Sequence, residues 1–384
     1  MGKKLKNIII YGVIIAFCGV ALAGYLIQNR ATEAKSAQTP EATAGTAPAA
    51  SDDAAAAAAA GEGAPMLADG NNITGRSGEE NQTHIAKLMK DAIAEPDPNP
   101  VVGIGRGEDY AEVTAKAIEN AGGIEGLVKE GDVVLIKPNI CTDYMLPGSP
   151  FITDYRTVQK VIDIVREHGA SRVIVAEGSF YGNVFNYEKN KYQSLKGAEL
   201  FNFNDCEEKD CYELKPGKSA AGKALFIPKI YMDADVVINI AKLKTHNVTT
   251  VSLSLKNCIG IPSAKVYGNS SFKAGLHGLG IENAIVDLNM MRKPELSIIE
   301  GIVGGEGYGP TDNTPVKSDV IFAGKDRVAL DTVACAFMGV DAKSVLHLEQ
   351  AEKSGLGIGD LKKIKVVGEE LDSIKMKFFN PLAP

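Results

Sequence analysis

Short apolar runs that end abruptly in polar residues constrain this chain more than any other feature. They fall at residues 101–104, 133–136, 172–176, 236–240, 296–299 and 320–322. Between and after them lie stretches of helical periodicity: residues 110–120, a helix capped by Thr153 or Asp154 and running to His168, residues 281–291, a helix ending at Met338, and residues 344–353. In the second of these Val158, Val161, Ile162 and Val165 share one face, and Gly169 stops the helix. Residues 363–367 close the chain as a last strand. Buried strands alternating with helices predict an α/β fold, a mainly parallel sheet flanked by helices, in one body or two subdomains. In such sheets ligands collect at the carboxyl ends of the strands.

The alternation begins at Val101, so residues 101–384 are read as the globular domain. Lys3, Lys4 and Lys6 stand before an uncharged run in which residues 8–27 are long and apolar enough to span a bilayer. Residues 1–30 are therefore read as a transmembrane anchor, or as a signal peptide cleaved after Ala23 in Ala21-Leu22-Ala23. The first reading gives a membrane-anchored domain outside the cytoplasm, and the second a secreted or periplasmic one. Residues 31–100 read as an Ala-rich, low-complexity, disordered linker. A short helix is expected near residues 79–95, with Ile85, Leu88, Met89 and Ile93 on one face.

Of the chain's net charge of −7, residues 1–30 contribute +4 and residues 31–100 contribute −7, which leaves −4 for the domain. With no Trp and 6% aromatic residues, this argues against a nucleic-acid partner. Nucleotide loops fail in detail. Gly103, Gly105 and Gly107 are followed by Glu108 where a dinucleotide loop needs glycine, and Gly217-Lys218-Ser219 has Tyr212 where a P-loop needs its first glycine. No Cys-x-x-Cys occurs, so an intrinsic iron–sulfur or zinc-ribbon site has no signature. Cys206 and Cys211 could pair as a disulfide or stay free.

Residues 236–281 contain no Asp or Glu, yet hold Lys242, Lys244, Lys256, Lys265, Lys273, His246 and His277. Lys242-Leu243-Lys244-Thr245-His246 follows directly on a buried strand. If that strand continues, its period of two turns Lys242, Lys244 and His246 to one face, where two ammoniums and an imidazole form an anion site. Each positive group lowers the pKa of its neighbours, so one lysine could serve as a base near neutral pH. Lys137-Pro138-Asn139 ends another buried strand and can reach the same rim, and Lys256 with Asn257 adds an ammonium and an amide. Gly304, Gly305, Gly307 and Gly309, closed by Pro310, read as a glycine-rich loop over the site, either approaching an anion through backbone amides or acting as a lid. His246, Glu300 and Asp331 are the candidate ligands for a divalent or transition metal.

Lys-Pro-Asn at 137–139, Lys-Leu-Lys-Thr-His at 242–246 and Ser-Leu-Lys-Asn at 254–257 resemble the domain of unknown function 362 family. Gly260, Glu300-Gly301, Gly307 to Pro310 and the segment from Asp326 to Asp331 share the resemblance, which covers about residues 101–370 in the family's order. It implies an exported or membrane-associated protein, and in many members a ferredoxin-like module. This chain departs from that branch because it lacks a Cys-x-x-Cys-x-x-Cys run. No reaction comes with the resemblance.

The function expected from the residues is an enzyme that uses Lys244, His246 and His277 for acid/base chemistry on a small anionic substrate. Lys137, Asn139, Lys242, Lys256, Asn257, Gly307 and Gly309 would bind that substrate. The alternatives are a metal- or iron–sulfur-associated redox protein, working with a redox partner in trans, and a non-catalytic module that binds an anion or a partner.

Overall fold

A computed structural model describes residues 64–382, apart from 68–69, 143–144, 181 and 269–272. The segment read as anchor or signal lies outside the described residues. Among the described residues no helix is long and apolar enough to cross a membrane.

The strands are β1 (Val101–Arg106), β2 (Val133–Lys137), β3 (Arg172–Glu177), β4 (Glu199–Asn202), β5 (Cys211–Leu214), β6 (Leu225–Pro228), β7 (Val236–His246), β8 (Thr250–Ser252), β9 (Leu296–Gly307), β10 (Asn313–Gly324) and β11 (Lys365–Val367). Eight form one sheet in the order β11-β1-β10-β9-β7-β2-β3-β4, with β8 added to the end of β7, while β5 and β6 pair separately. The run from β4 through β3, β2 and β7 to β9 is parallel, as expected, whereas β10 is antiparallel to β9 and β1.

The main helices are α1 (Gly78–Ala92), α2 (Tyr110–Asn120), α3 (Tyr155–Glu167), α4 (Ser254–Asn257), α5 (Ala274–Gly278), α6 (Ile281–Met291), α7 (Arg327–Met338) and α8 (Leu346–Lys353). They cover both faces of the sheet. Val158, Val161, Ile162 and Val165 of α3 pack with Val134 and Ile136 on one face; Leu135 and Val237 join Ile285, Val286 and Val333 on the other. Helices on both faces explain why the central strands are apolar runs without alternation. Asp154 caps α3, its side chain accepting from Arg156 N–H.

The described residues belong to one compact unit, the first of the two arrangements expected. Its core includes Ile85 and Leu88 of α1. One feature differs from the sequence reading: Gly304, Gly305 and Gly307, read as a glycine-rich loop, lie in β9, paired with β10. Their smallness serves close packing, since a Cβ on Gly305 would stand 2.8 Å from the Pro150 carbonyl oxygen and 3.1 Å from Lys244 Cβ. Close packing of this kind contradicts a mobile lid at 304–307.

Candidate functional site

Lys137 and Glu177 are the last residues of the parallel neighbours β2 and β3. Both side chains are 2% exposed, so each charge requires the other. Lys137 Nζ donates to Glu177 Oε1 and Oε2, each at 3.0 Å, and to the Pro138 carbonyl at 2.9 Å. Backbone N–H groups of Gly178 and Ile140 complete the carboxylate's partners. Gly260 fits against this pair because it has no Cβ: one would lie 2.2 Å from Glu177 Oε1 and 2.6 Å from Lys137 Nζ.

A row of amides borders the pair. Asn257 Oδ1 accepts from Asn139 Nδ2 at 2.9 Å and Lys137 Nζ at 3.4 Å, while Asn257 Nδ2 donates to Asn239 Oδ1 at 2.7 Å. Asn257 and Lys256 are carried by α4, a single turn. Asp331 of α7 holds that turn, accepting from Ser254 N–H at 2.8 Å and Leu255 N–H at 3.0 Å. Burial raises the Asp331 carboxyl to about 6 despite these bonds.

Two further lysines complete the ring. Lys244 Nζ donates to the carbonyls of Phe151 at 2.7 Å and Pro310 at 3.2 Å, with Cys141 Sγ at 3.7 Å. Lys273 Nζ donates to the carbonyls of Gly178, Ile259 and Gly260 at 2.6, 3.3 and 3.3 Å. Burial lowers the pKa of both, that of Lys273 to about 7. Lys256 differs: it is partly exposed, and its ammonium has no hydrogen bond or ion pair among the described residues. Burial, and then the charge of Lys244, brings it down to about 8.

Lys137, Lys244, Lys256 and Lys273 line a cavity of about 50 Å³ together with Asn139, Asn257 and Glu177. Four lysines therefore face one carboxylate. A single water needs roughly 10–15 Å³, so the space accepts a carboxylate or phosphate head of a few heavy atoms. On its wall the buried Ser252 Oγ has no hydrogen-bond partner among the described residues.

The remaining nominated residues stand elsewhere. Lys242 is withdrawn into a fully buried ion pair with Glu300 at 2.5 Å, because β9 advances five residues beside β7 while β7 advances two, from Lys242 to Lys244. His246 does not line the cavity. Its Nδ1 accepts from the N–H groups of Val248 at 3.0 Å and Thr249 at 3.3 Å, and burial holds its pKa well below the usual histidine range, so the ring is neutral. His277 is exposed on α5, with Nδ1 3.3 Å from the Lys273 carbonyl. Gly307 and Gly309 shape the β9–β10 turn; a Cβ on Gly309 would meet the Thr245 carbonyl at 2.2 Å. Glu300 is committed to Lys242 and Asp331 to α4, and among the described residues no three His, Cys, Asp or Glu side chains are arranged to hold a metal ion. Cys206 and Cys211 are free, buried thiols.

Sequence reasoning left out Glu177, Cys141 and, as a site residue, Lys273. Glu177 had a usable signal: it is the charged residue that ends a buried strand, as Lys137 is. Lys273 lay within the acid-free stretch, but nothing in its local sequence aimed it at the rim.

A family model described as a domain of unknown function (DUF362) matches residues 134–336. The thylakoid-associated protein sll1697 of Synechocystis sp. is 30% identical over 244 residues, covering 62% of this chain and 73% of that protein. A crystal structure from Thermotoga maritima matches 65% of this chain and 59% of its own, at 15% identity and a TM-score of 0.38. The lactate racemase apoprotein from Thermoanaerobacterium thermosaccharolyticum matches 63% of this chain and 58% of its own, at 14% identity and a TM-score of 0.40. The chain thus spans less than two thirds of either solved structure.

Proposed function

The chain belongs to the DUF362 family, and from that premise we propose that it is an enzyme that moves a proton on a small anionic substrate held in the lysine cavity. The observation that carries this reading is the division of labour among the four lysines. Lys137, Lys244 and Lys273 spend their N–H groups on a carboxylate, on carbonyls and on a thiol, so they act on a ligand through their field. Lys256 alone keeps its donors for the ligand. With a pKa of about 8 it can also give up and regain a proton near neutral pH, which general acid–base chemistry requires. His246, neutral, bonded to backbone and outside the cavity lining, is not the base in this reading.

The test is incubation of the protein in D₂O with a panel of small carboxylates and phosphates, followed by NMR and mass spectrometry for incorporated deuterium or new products. Wild type should convert at least one compound, and Lys256→Gln should lower its rate at least 100-fold with little change in melting temperature. Binding without any conversion across the panel would replace the enzyme with an anion-binding module.

We further propose that residues 8–27 hold the domain at a membrane, outside the cytoplasm. The name of the Synechocystis relative, which is thylakoid-associated, agrees with such a setting. Fractionation of the full chain beside a variant lacking residues 1–30 tests it; equal amounts of both in the soluble fraction would contradict it.

A further inference from the structure

Nine large apolar side chains are exposed among the described residues, and four of them, Val248, Tyr308, Phe379 and Leu382, belong to segments tied together at one corner of the sheet. Val248 lies in the turn between β7 and β8, Tyr308 in the turn between β9 and β10, and the other two in the C-terminal segment. Hydrogen bonds link these three pieces: Asn247 N–H to the Gly309 carbonyl at 3.0 Å, Gly307 N–H to the Phe379 carbonyl at 2.9 Å, and Asn380 Nδ2 to the Thr250 carbonyl at 2.9 Å. Leu382 N–H returns to Asn380 Oδ1 at 3.0 Å. The rings of Tyr308 and Phe379 pack edge to face, 6.1 Å between centroids, yet each residue is 55% exposed.

The turn that carries Tyr308 also reaches the cavity. Pro310, two residues beyond Tyr308 in the same turn, lines the cavity, and its carbonyl accepts from Lys244. The cavity itself takes a charged head and little else, so the rest of a larger ligand must leave it across the surrounding surface. Apolar surface gathered in this way is uncommon without a ligand or partner to cover it.

We infer that the natural ligand is an amphiphile: an anionic head in the lysine cavity, with a hydrocarbon segment lying over Tyr308, Phe379, Val248 and Leu382. The inference rests on the anion site proposed above and names the class of molecule it takes.

Titration calorimetry on the full chain, with two series kept below their micelle concentrations, tests it. One series runs from inorganic phosphate to octyl phosphate, the other from acetate to octanoate. In the series whose head group binds, Kd should fall with chain length, by up to about fourfold for each methylene covered. The double variant Tyr308→Ser/Phe379→Ser should keep the affinity for the bare head group and lose the dependence on chain length. Phe379 reaches Gly307 through its own carbonyl, so the tie survives the substitution. If the double variant melts early, Val248→Ser replaces it and should weaken the same dependence. Affinity independent of chain length, or a dependence unchanged in the variants, would overturn the inference and leave the anion site standing. Failure of both series, inorganic phosphate and acetate included, would overturn the anion site and this inference together.

Discussion

Lys242 and Glu300, adjacent across the parallel strands β7 and β9, pair with each other at 2.5 Å, and both side chains are fully buried. Each looks like a site residue in the sequence, one as an anion ligand and the other as a metal ligand. Paired, they form a polar link inside the sheet, completed by the N–H groups of Asp154 and Ile302 on Glu300. Burial pushes the Glu300 carboxyl up, and the Lys242 charge opposes that push.

Removal of one partner leaves the other charge buried alone. Lys242→Met should therefore destabilise the fold by about 3–5 kcal/mol in urea unfolding, and the double variant Lys242→Met/Glu300→Leu should recover most of the loss. Anion binding by the Lys242→Met protein that remains folded should be near wild type. A selective loss of binding with unchanged stability would return Lys242 to the site.

Lys256 should reveal its lowered pKa through reactivity. Reductive methylation followed by peptide mass spectrometry should show Lys256 reacting with a midpoint near pH 8, ahead of the exposed lysines. The linked stability effect has a definite sign. Between about pH 8 and the ordinary lysine range the unfolded chain binds more protons at this position, so wild type should gain stability relative to Lys256→Gln as pH rises through that window.

Asp331 has the opposite linkage. Its carboxyl titrates near 6 in the fold, above the ordinary aspartate value, so the folded state holds the proton more tightly. The stability it contributes is complete below the ordinary aspartate pKa and is lost as pH rises through about 6. Asp331→Asn should remove that component, a change on the order of 3 kcal/mol in the pH dependence of unfolding between pH 4 and 7. A pH profile parallel to wild type would contradict it.

Gly309→Ala tests the turn that roofs the cavity. The new methyl meets the Thr245 carbonyl and Asn313 Oδ1, at 2.2 and 2.6 Å for an unmoved backbone. The turn must shift, at about 1–3 kcal/mol, and the Pro310 carbonyl then leaves Lys244. Weaker anion binding together with a lowered melting temperature is expected from calorimetry. A melting temperature equal to wild type would show that the turn has room to spare.

The alternation of apolar runs and helices was enough to give the parallel sheet, and residues 281–291 match α6 in both limits. The sequence reading expected Lys137, Asn139, Lys244, Lys256 and Asn257 at one rim, and all five line the candidate cavity. What failed was detail set by neighbours distant in sequence. A period of two assigns Lys242 and Lys244 to one face, but the register shift of β9 sends one into an ion pair and leaves the other at the rim. Glycines at 304–307 read as a loop because their reason for being small, close approach of Pro150 and Lys244, comes from other segments. His246 follows two lysines in sequence, yet the N–H groups of the turn after it claim its Nδ1.

If the four-lysine cavity binds an anion through Lys256, titration calorimetry of wild type and Lys256→Gln against inorganic phosphate and acetate at pH 7 will detect it. Wild type should bind at least one of them saturably, with affinity weakened at least tenfold in Lys256→Gln at an unchanged melting temperature. Equal affinity in the two proteins would contradict it.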